Sequence, residues 1–459
     1  MNSHQKKALT QVGLQTLVIA IVLSVFASPV WAIPAFARKY SLRCTACHEE
    51  WPVLNDFGRN FRDNGYQLRL GRDDAVTADP GYWPVSLRVT PSYVYTRVTN
   101  QVTDQGNKNI GSGGVADASI DLLMAGVLAP NISFLVVPTG FASDGNVHLE
   151  SYWAYFSRLI KNSDWFNVRF GQFEIDLPAS AHRTMELTDG YLMYSYHPSV
   201  FHTLPGQEGF VPGAPQGGSY SAFDMGENQR GIEIVGHDAA SLSRYALTVF
   251  SAHDSIGSAN IFSSPSFYGH FQQYFRFKNG PISQAELGAW GAVANYPTTF
   301  LTVQGQPIPG GGGNLQSSSR YGIEANVWFG PLVAPLHLDL VFGHGMDKKN
   351  LFMGEADRNG TFDGGFLEAI WVPAAELLRW SVFGRYDMIR NQKQPSSTAP
   401  SNYNDQNQWT VGVIYTIAYS IRDEVTLHAE VSSNKADGVG YAGLDRRTDS
   451  ILFGVDFVY

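Results

Sequence analysis

The chain has 459 residues, of which 44 % are hydrophobic, 13 % aromatic and 16 % charged, with 46 glycines, two cysteines and a net charge of −9. That balance gives no basic surface for nucleic acid, and no stretch after residue 32 is long and apolar enough to span a bilayer as a helix. Several soluble domains would fit the length, and so would one large β structure, so periodicity has to decide.

Residues 1–32 begin with Lys6 and Lys7, run through "LQTLVIAIVLSVFA" and end on "SPVWA", with Val30 and Ala32 as small residues before a cut. This reads as a secretory signal peptide removed after Ala32, so that the mature chain starts at Ile33 outside the cytoplasm. An uncleaved anchor is the alternative, but its apolar run falls short of the ~20 residues a spanning helix needs.

The segment 33–80 holds both cysteines in Cys44-Thr45-Ala46-Cys47-His48. In an exported protein C-x-x-C-H predicts covalent attachment of one haem c, with two thiols tethering the porphyrin and His48 as axial iron ligand. A thioredoxin-like redox pair would want a βαβ context, a disulfide this short would stabilise little, and zinc would lack further ligands. Leu54, Phe57 and Phe61 recur at helical spacing and Asn64-Gly65 supplies a stop, so a helix covering the haem is expected there. Phe36, Trp51, Leu54, Phe57 and Phe61 are the candidate dry surroundings that tune its potential. About fifty residues are few for a self-sufficient core, so this mostly helical segment should borrow walls from the rest of the chain, inside or against the mouth of a barrel built by the later residues. It contains no Met and no His besides His48. A sixth ligand would be water, Lys39, the new amino terminus, or Met185, His182 or His148 from farther along. Its seven Lys and Arg against four Asp and Glu in residues 33–72 suggest a basic plug in an acidic remainder.

From residue 85 to 459 apolar and polar residues alternate at period two. Tyr321, Ile323, Ala325, Val327 and Phe329 oppose Arg320, Glu324 and Asn326, and Val425, Leu427, Ala429 and Val431 oppose Glu424, His428 and Glu430. Charged groups repeated on one face suit a watery lumen, so the other face meets lipid or a second sheet. Ile451, Phe453, Val455, Phe457 and Tyr459 end the chain on an aromatic apolar face. Together these predict an all-β fold, a transmembrane antiparallel β-barrel of about 16 strands in a bacterial outer membrane, since only a closed barrel satisfies every backbone group of a sheet in lipid. A periplasmic β-sandwich or a β-helix is the competing reading. Trp165, Trp328, Trp380 and Trp409 are candidates for interfacial girdles. The Gly-, Pro- and Ser-rich stretches 204–228, 307–319 and 391–408 are candidate outer loops. Glu355, Asp357, Asn359 and Asp363 form an acidic stretch that could concentrate a hard cation, but a solvated turn is the favoured reading and it is not taken as a site.

Pro34-Ala35-Phe36-Ala37-Arg38-Lys39-Tyr40 before the haem motif, then Pro52, Leu54-Asn55, Phe57-Gly58, Phe61 and Asn64-Gly65-Tyr66, resemble the head of the fused monohaem cytochrome–porins of bacterial outer membranes. That group includes the iron-oxidising outer-membrane cytochromes. The resemblance covers about 35 residues and implies electron transfer from extracellular Fe(II) through haem to a periplasmic cytochrome or other carrier, an oxidoreductase activity if Fe(II) is the donor. Two other readings stay open: a porin-type channel whose haem head gates or senses, and a conduit running electrons outward to extracellular acceptors.

Overall fold

The computed structural model describes residues 35–458 apart from 51, 70–72, 79–82, 104–105, 140–147, 162, 189, 200–217, 220–222, 253–263, 298–301, 304–305, 308–314, 331–334, 354–355, 373–378 and 420–423. The expected signal peptide, Trp51 and Tyr459 lie outside the described residues.

Sixteen antiparallel strands close into a barrel. They are β1 (Val85–Thr103), β2 (Gly106–Ala129), β3 (Ile132–Thr139), β4 (His148–Phe156), β5 (Asn167–Glu174), β6 (Asn228–His237), β7 (Ser243–Ser251) and β8 (Ser266–Arg276). The second half comprises β9 (Ile282–Pro297), β10 (Leu315–Phe329), β11 (Leu336–Asp347), β12 (Gly360–Trp371), β13 (Trp380–Lys393), β14 (Gln406–Tyr419), β15 (Glu424–Ala436) and β16 (Arg446–Val458). The last strand pairs with the first, Phe453 opposite Tyr93 and Ile451 opposite Tyr95, so no edge remains for lipid to leave unsatisfied.

The period-two faces fall as the sequence requires. Ile323, at 62 % exposed, stands outward with Leu247, Phe271, Leu287 and Phe453, whereas Glu286, Arg320, Glu324, Glu368 and Glu430 are buried inside. A sheet closed on itself with polar side chains within and an apolar belt without is an outer-membrane barrel, and this chain belongs in a bacterial outer membrane. Trp165, Trp380 and Trp409 are outward and exposed near strand ends, as girdle residues should be. Trp328 is not. It is 7 % exposed, shares the inner parity of Glu324 and Asn326, and stacks on His337 at 4.4 Å.

Short turns join strands at the end where β1 begins and β16 finishes, and longer connections gather at the other. In barrels of this kind the short turns are periplasmic. Of the expected outer loops, residues 204–217, 220–222 and 308–314 lie outside the described residues, while Leu315–Ser319, Asn391–Lys393 and Gln406–Gln408 extend the strands instead. Their backbone groups continue the ladders whatever the polarity of their side chains.

Two pieces fill the barrel. At the periplasmic end sits the head, residues 35–78, with helices α1 (Ala35–Tyr40), α2 (Cys44–Cys47) and α3 (Asp56–Asp63) and a short ladder pairing His48–Glu50 with Val53–Leu54. It is less helical than the sequence suggests, because its later part lies extended along the wall, where the Val76 amide donates to the Val127 carbonyl at 2.9 Å. Higher in the lumen, the connection between β5 and β6 folds inward as a crossing segment, described over 175–188, 190–199 and 223–227, with one turn of helix α4 (Leu192–Ser195).

Candidate functional site: the haem-motif turn in the periplasmic mouth

Helix α3 positions the motif. Asn55 is its N-cap, accepting from the Gly58 amide at 2.9 Å. The same residue ties back to α2: its amide donates to the Cys47 carbonyl at 2.9 Å and its side-chain Nδ2 to the Ala46 carbonyl at 3.1 Å. Gly58 is required for this approach, since a Cβ there would stand 2.0 Å from the Cys47 carbonyl oxygen. The helix ends in a Schellman arrangement, with Gly65 N donating to Arg62 O at 2.9 Å and Tyr66 N to Phe61 O at 2.8 Å. Gly65 has φ +70°, and a Cβ on it would meet the Tyr155 ring at 2.7 Å. Each step of Leu54-Asn55, Phe57-Gly58 and Asn64-Gly65-Tyr66 thus has a local mechanical reason.

His48 Nδ1 lies 3.2 Å from the Pro52 carbonyl, which can only accept, so Nδ1 carries the proton. Burial is the main influence on this imidazole and lowers its pKa to about 4, against the raising effect of the Pro52 contact. A neutral ring whose Nδ1–H is spoken for by a carbonyl is the state an iron-ligating histidine needs. Burial raises the Cys47 thiol to about 11. Cys47 packs with Leu42, Tyr66, Leu68 and Leu135 against the buried group Ala35, Phe36, Tyr40, Phe61 and Ala125. Within it Phe36 stacks on Tyr66 at 4.6 Å and meets Phe61 edge-on at 6.2 Å. The described residues therefore fit a covalently held haem: a neutral histidine directly after a thiol, beside a dry aromatic wall.

The candidates named from the sequence divide. Phe36, Cys47 and Phe61 come together, with His48 following Cys47 in the chain; Leu54 sits opposite His48 in the ladder rather than on α3. Phe57 stacks on Phe61 at 6.1 Å but is 41 % exposed, so it is an edge and not an enclosed wall. For Cys44 the structure describes only its place in α2, and Trp51 is outside the described residues. Tyr40 and Tyr66 belong to the stretch that carries the resemblance, but they were not named as haem surroundings, and Leu42 was not named at all.

The head is fastened to the wall by polar contacts. Asp63 accepts from Arg244 Nε at 2.9 Å and from its neighbour Arg62 at 2.9 Å, while its carbonyl receives Tyr155 Oη at 2.9 Å and lies 3.1 Å from His237 Nε2. Burial alone would raise the Asp63 carboxyl, but Arg62, Arg244 and His237 together outweigh it and hold the pKa at about 2. Arg69 pairs with Asp164 at 2.6 Å and Arg276 with Asp56 at 2.6 Å, and the Arg59 guanidinium lies 4.4 Å over Tyr274. Contacts run both ways, head acids to wall arginines and head Arg69 to wall Asp164, so net charge alone does not describe the docking.

The crossing segment closes the lumen above. The Leu187 and Thr188 amides donate to Glu430 at 2.8 and 3.1 Å, the Leu192 amide to Asp387 at 3.2 Å, and Tyr191 Oη to Glu368 at 3.1 Å. Arg385 bridges Glu186, Asp387 and the Gly190 carbonyl. Toward the outer end this segment floors a polar vestibule of about 580 Å³, lined by His182, Tyr191, Asp224, Glu227, Gln408 and Arg446. Burial raises the Asp224 carboxyl above its ordinary range. Among the described residues no group of three His, Cys, Asp or Glu side chains could hold a metal ion; Glu355 of the acidic stretch lies outside them.

No protein-family model matches the chain, and no curated protein matches it. Among solved structures it is similar to OprB of Pseudomonas putida, with a TM-score of 0.50 at 9 % identity, covering 82 % of this chain and 94 % of that one. An anion-selective porin from Comamonas acidovorans gives 0.49 at 12 % identity, covering 82 % and 99 %, and the outer membrane channel DcaP of Acinetobacter baumannii 0.48 at 10 %, covering 82 % and 97 %. At such identities the likeness is one of fold, a porin-like barrel.

Proposed function

We propose that this protein is a fused cytochrome–porin that carries single electrons across the outer membrane through one covalent haem c, from an extracellular donor such as Fe(II) to a carrier in the periplasm. The observation that carries the reading is the His48 ring, neutral and committed through Nδ1 to Pro52, directly after Cys47 in a head seated in the periplasmic mouth. Bound haem would supply the one-electron couple that no side chain in the lumen provides. Cys44 and Cys47 would tether it and His48 would ligate iron. Phe36, Tyr40, Phe61 and Tyr66 exclude water, which favours the less charged reduced state and raises the potential. The vestibule gives a hydrated donor access from outside, and Asp224 and Glu227 are the acidic groups on its wall.

The full chain, expressed with a cytochrome maturation system and purified in detergent, should be coloured and stain for covalent haem. C44A/C47A should be colourless. Mixing the coloured protein with Fe(II) should reduce it rapidly; reduction only by donors added from the periplasmic side of oriented vesicles would reverse the direction. The vestibule also supports a second reading, a solute channel gated by the head, against which the crossing segment argues. Steady solute flux through the intact protein with no haem reduction by any outer donor would favour the channel.

A further inference from the structure

The crossing segment dips toward the head at Met185. This side chain is 1 % exposed and packs with Ile370, Phe383 and Ile414, inner residues toward the periplasmic ends of β12, β13 and β14. Val53 of the head packs on the same cluster. Val53 belongs to the ladder that carries His48, and the Pro52 carbonyl just before it lies 3.2 Å from His48 Nδ1. The Met185 cluster therefore touches the residue next to the one that holds the His48 ring.

Two of the other candidate ligands, Lys39 and His182, are committed elsewhere. Lys39 Nζ donates to the Asp74 carbonyl, His182 Nδ1 lies 3.4 Å from Glu150 on the wall, and the His148 side chain is outside the described residues. The head has no methionine of its own. A thioether is soft, uncharged at every pH and at home in an apolar cluster, so it can be kept dry beside iron without the desolvation cost of an amine or carboxylate.

We propose that Met185 is the second axial ligand of the haem that His48 would hold, so that iron is ligated jointly by the head and by the barrel's own crossing segment. This rests on the haem reading and adds a consequence to it. Ligation then reports docking: a head displaced from the mouth loses its sixth ligand, and the potential falls with it.

The test is the ferric absorption spectrum of the full chain in detergent, with M185L, M185H and M193L beside the wild type. Leucine conserves volume in this cluster, heat-modifiable migration on a gel checks the barrel, and Met193 is an equally buried lumen methionine. Wild type and M193L should be low-spin with the long-wavelength sulfur-to-iron charge-transfer band. M185L should lose the band, turn high-spin and bind carbon monoxide readily when reduced, and M185H should return to low spin without the band at a lower potential. A coloured wild type lacking the band, or a coloured M185L with an unchanged spectrum, overturns the assignment while leaving the haem reading intact. A colourless wild type overturns both. Should M185L not fold, the presence or absence of the band in the wild type decides.

Discussion

The head and the crossing segment both occupy the lumen, yet they are held in different ways. The head has its own aromatic core, a capped helix and a Schellman stop, and uses the wall mainly through a few polar clamps. The crossing segment has almost no local order beyond one helical turn. Its Tyr191, Met193, Tyr194 and Tyr196 are buried against Tyr268, Trp290, Phe362 and Phe366 of the strands, and its amides lean on strand carboxylates. One is a small module docked into a barrel; the other is part of the barrel's interior. Substitutions should accordingly act on them unequally.

The largest effect is expected at Arg385, which compensates Glu186 and Asp387 where all three are buried. R385M strands two carboxylates, a loss of about 3–5 kcal/mol for a broken buried pair. The crossing segment should become cleavable by protease and single-channel conductance should rise, while head contacts such as Asp63–Arg244 persist. Unchanged conductance would mean that the segment is held by its apolar residues alone. Next comes G58A. The added carbon meets a carbonyl oxygen rather than a movable side-chain tip, so α2 and α3 must separate at a cost of up to about 3 kcal/mol. Covalent haem per barrel, measured against total protein, should fall sharply with the barrel's heat-modifiability unaltered.

The wall was readable from alternation because a period of two with charges on one face has few other solutions in lipid. Strand number, closure and the lipid-facing residues derive from it. The haem motif and the end of α3 were legible too, since Asn64-Gly65 marks a stop, but its start was not: Leu54 at helical spacing lies in the ladder, and the cap at Asn55 follows it. The filling of the lumen was not. Residues 175–199 show no helical or strand period, and their tyrosines and methionines find partners more than a hundred residues away, as Tyr191 does in Glu368. Trp328 misled for a related reason: an aromatic near a strand end serves either face, and only the parity shared with Glu324 and Asn326 tells which. The pairing of Asp63 with Arg244 was not readable from net charge, because docking depends on individual partners and not on sums.

Asp63 offers a subtler break of the same comparison. Its folded pKa of about 2 lies below the ordinary value of about 3.9, so ionised Asp63 stabilises the folded protein above about pH 4 and that contribution is lost as pH falls toward 2; Arg62 supplies part of it within the head, and Arg244 and His237 supply the docking part. The groups facing it are Arg62 on its own helix and Arg244, His237 and Tyr155 on the wall. Proteolytic release of the head should be flat from neutrality to about pH 4 and then rise in the wild type, while D63N should be released more readily at neutral pH and lack the extra acid-dependent step.

The smallest effect is expected of N55A. Removing the cap leaves the Gly58 amide without its acceptor and cuts the side-chain tie to Ala46, worth about 1 kcal/mol together. The Asn55 backbone bond to Cys47 is untouched, so α2 and α3 stay joined and the barrel contacts stay intact. N55D separates the two roles: aspartate still caps the helix, and its charge favours the N-terminus, but it cannot donate to the Ala46 carbonyl. Thermal release of the head, tracked with the barrel still folded, should therefore rank wild type above N55D and N55D above N55A. If N55A lowered barrel stability by as much as it lowered head stability, the head would have to be counted, like the crossing segment, as part of the barrel's interior.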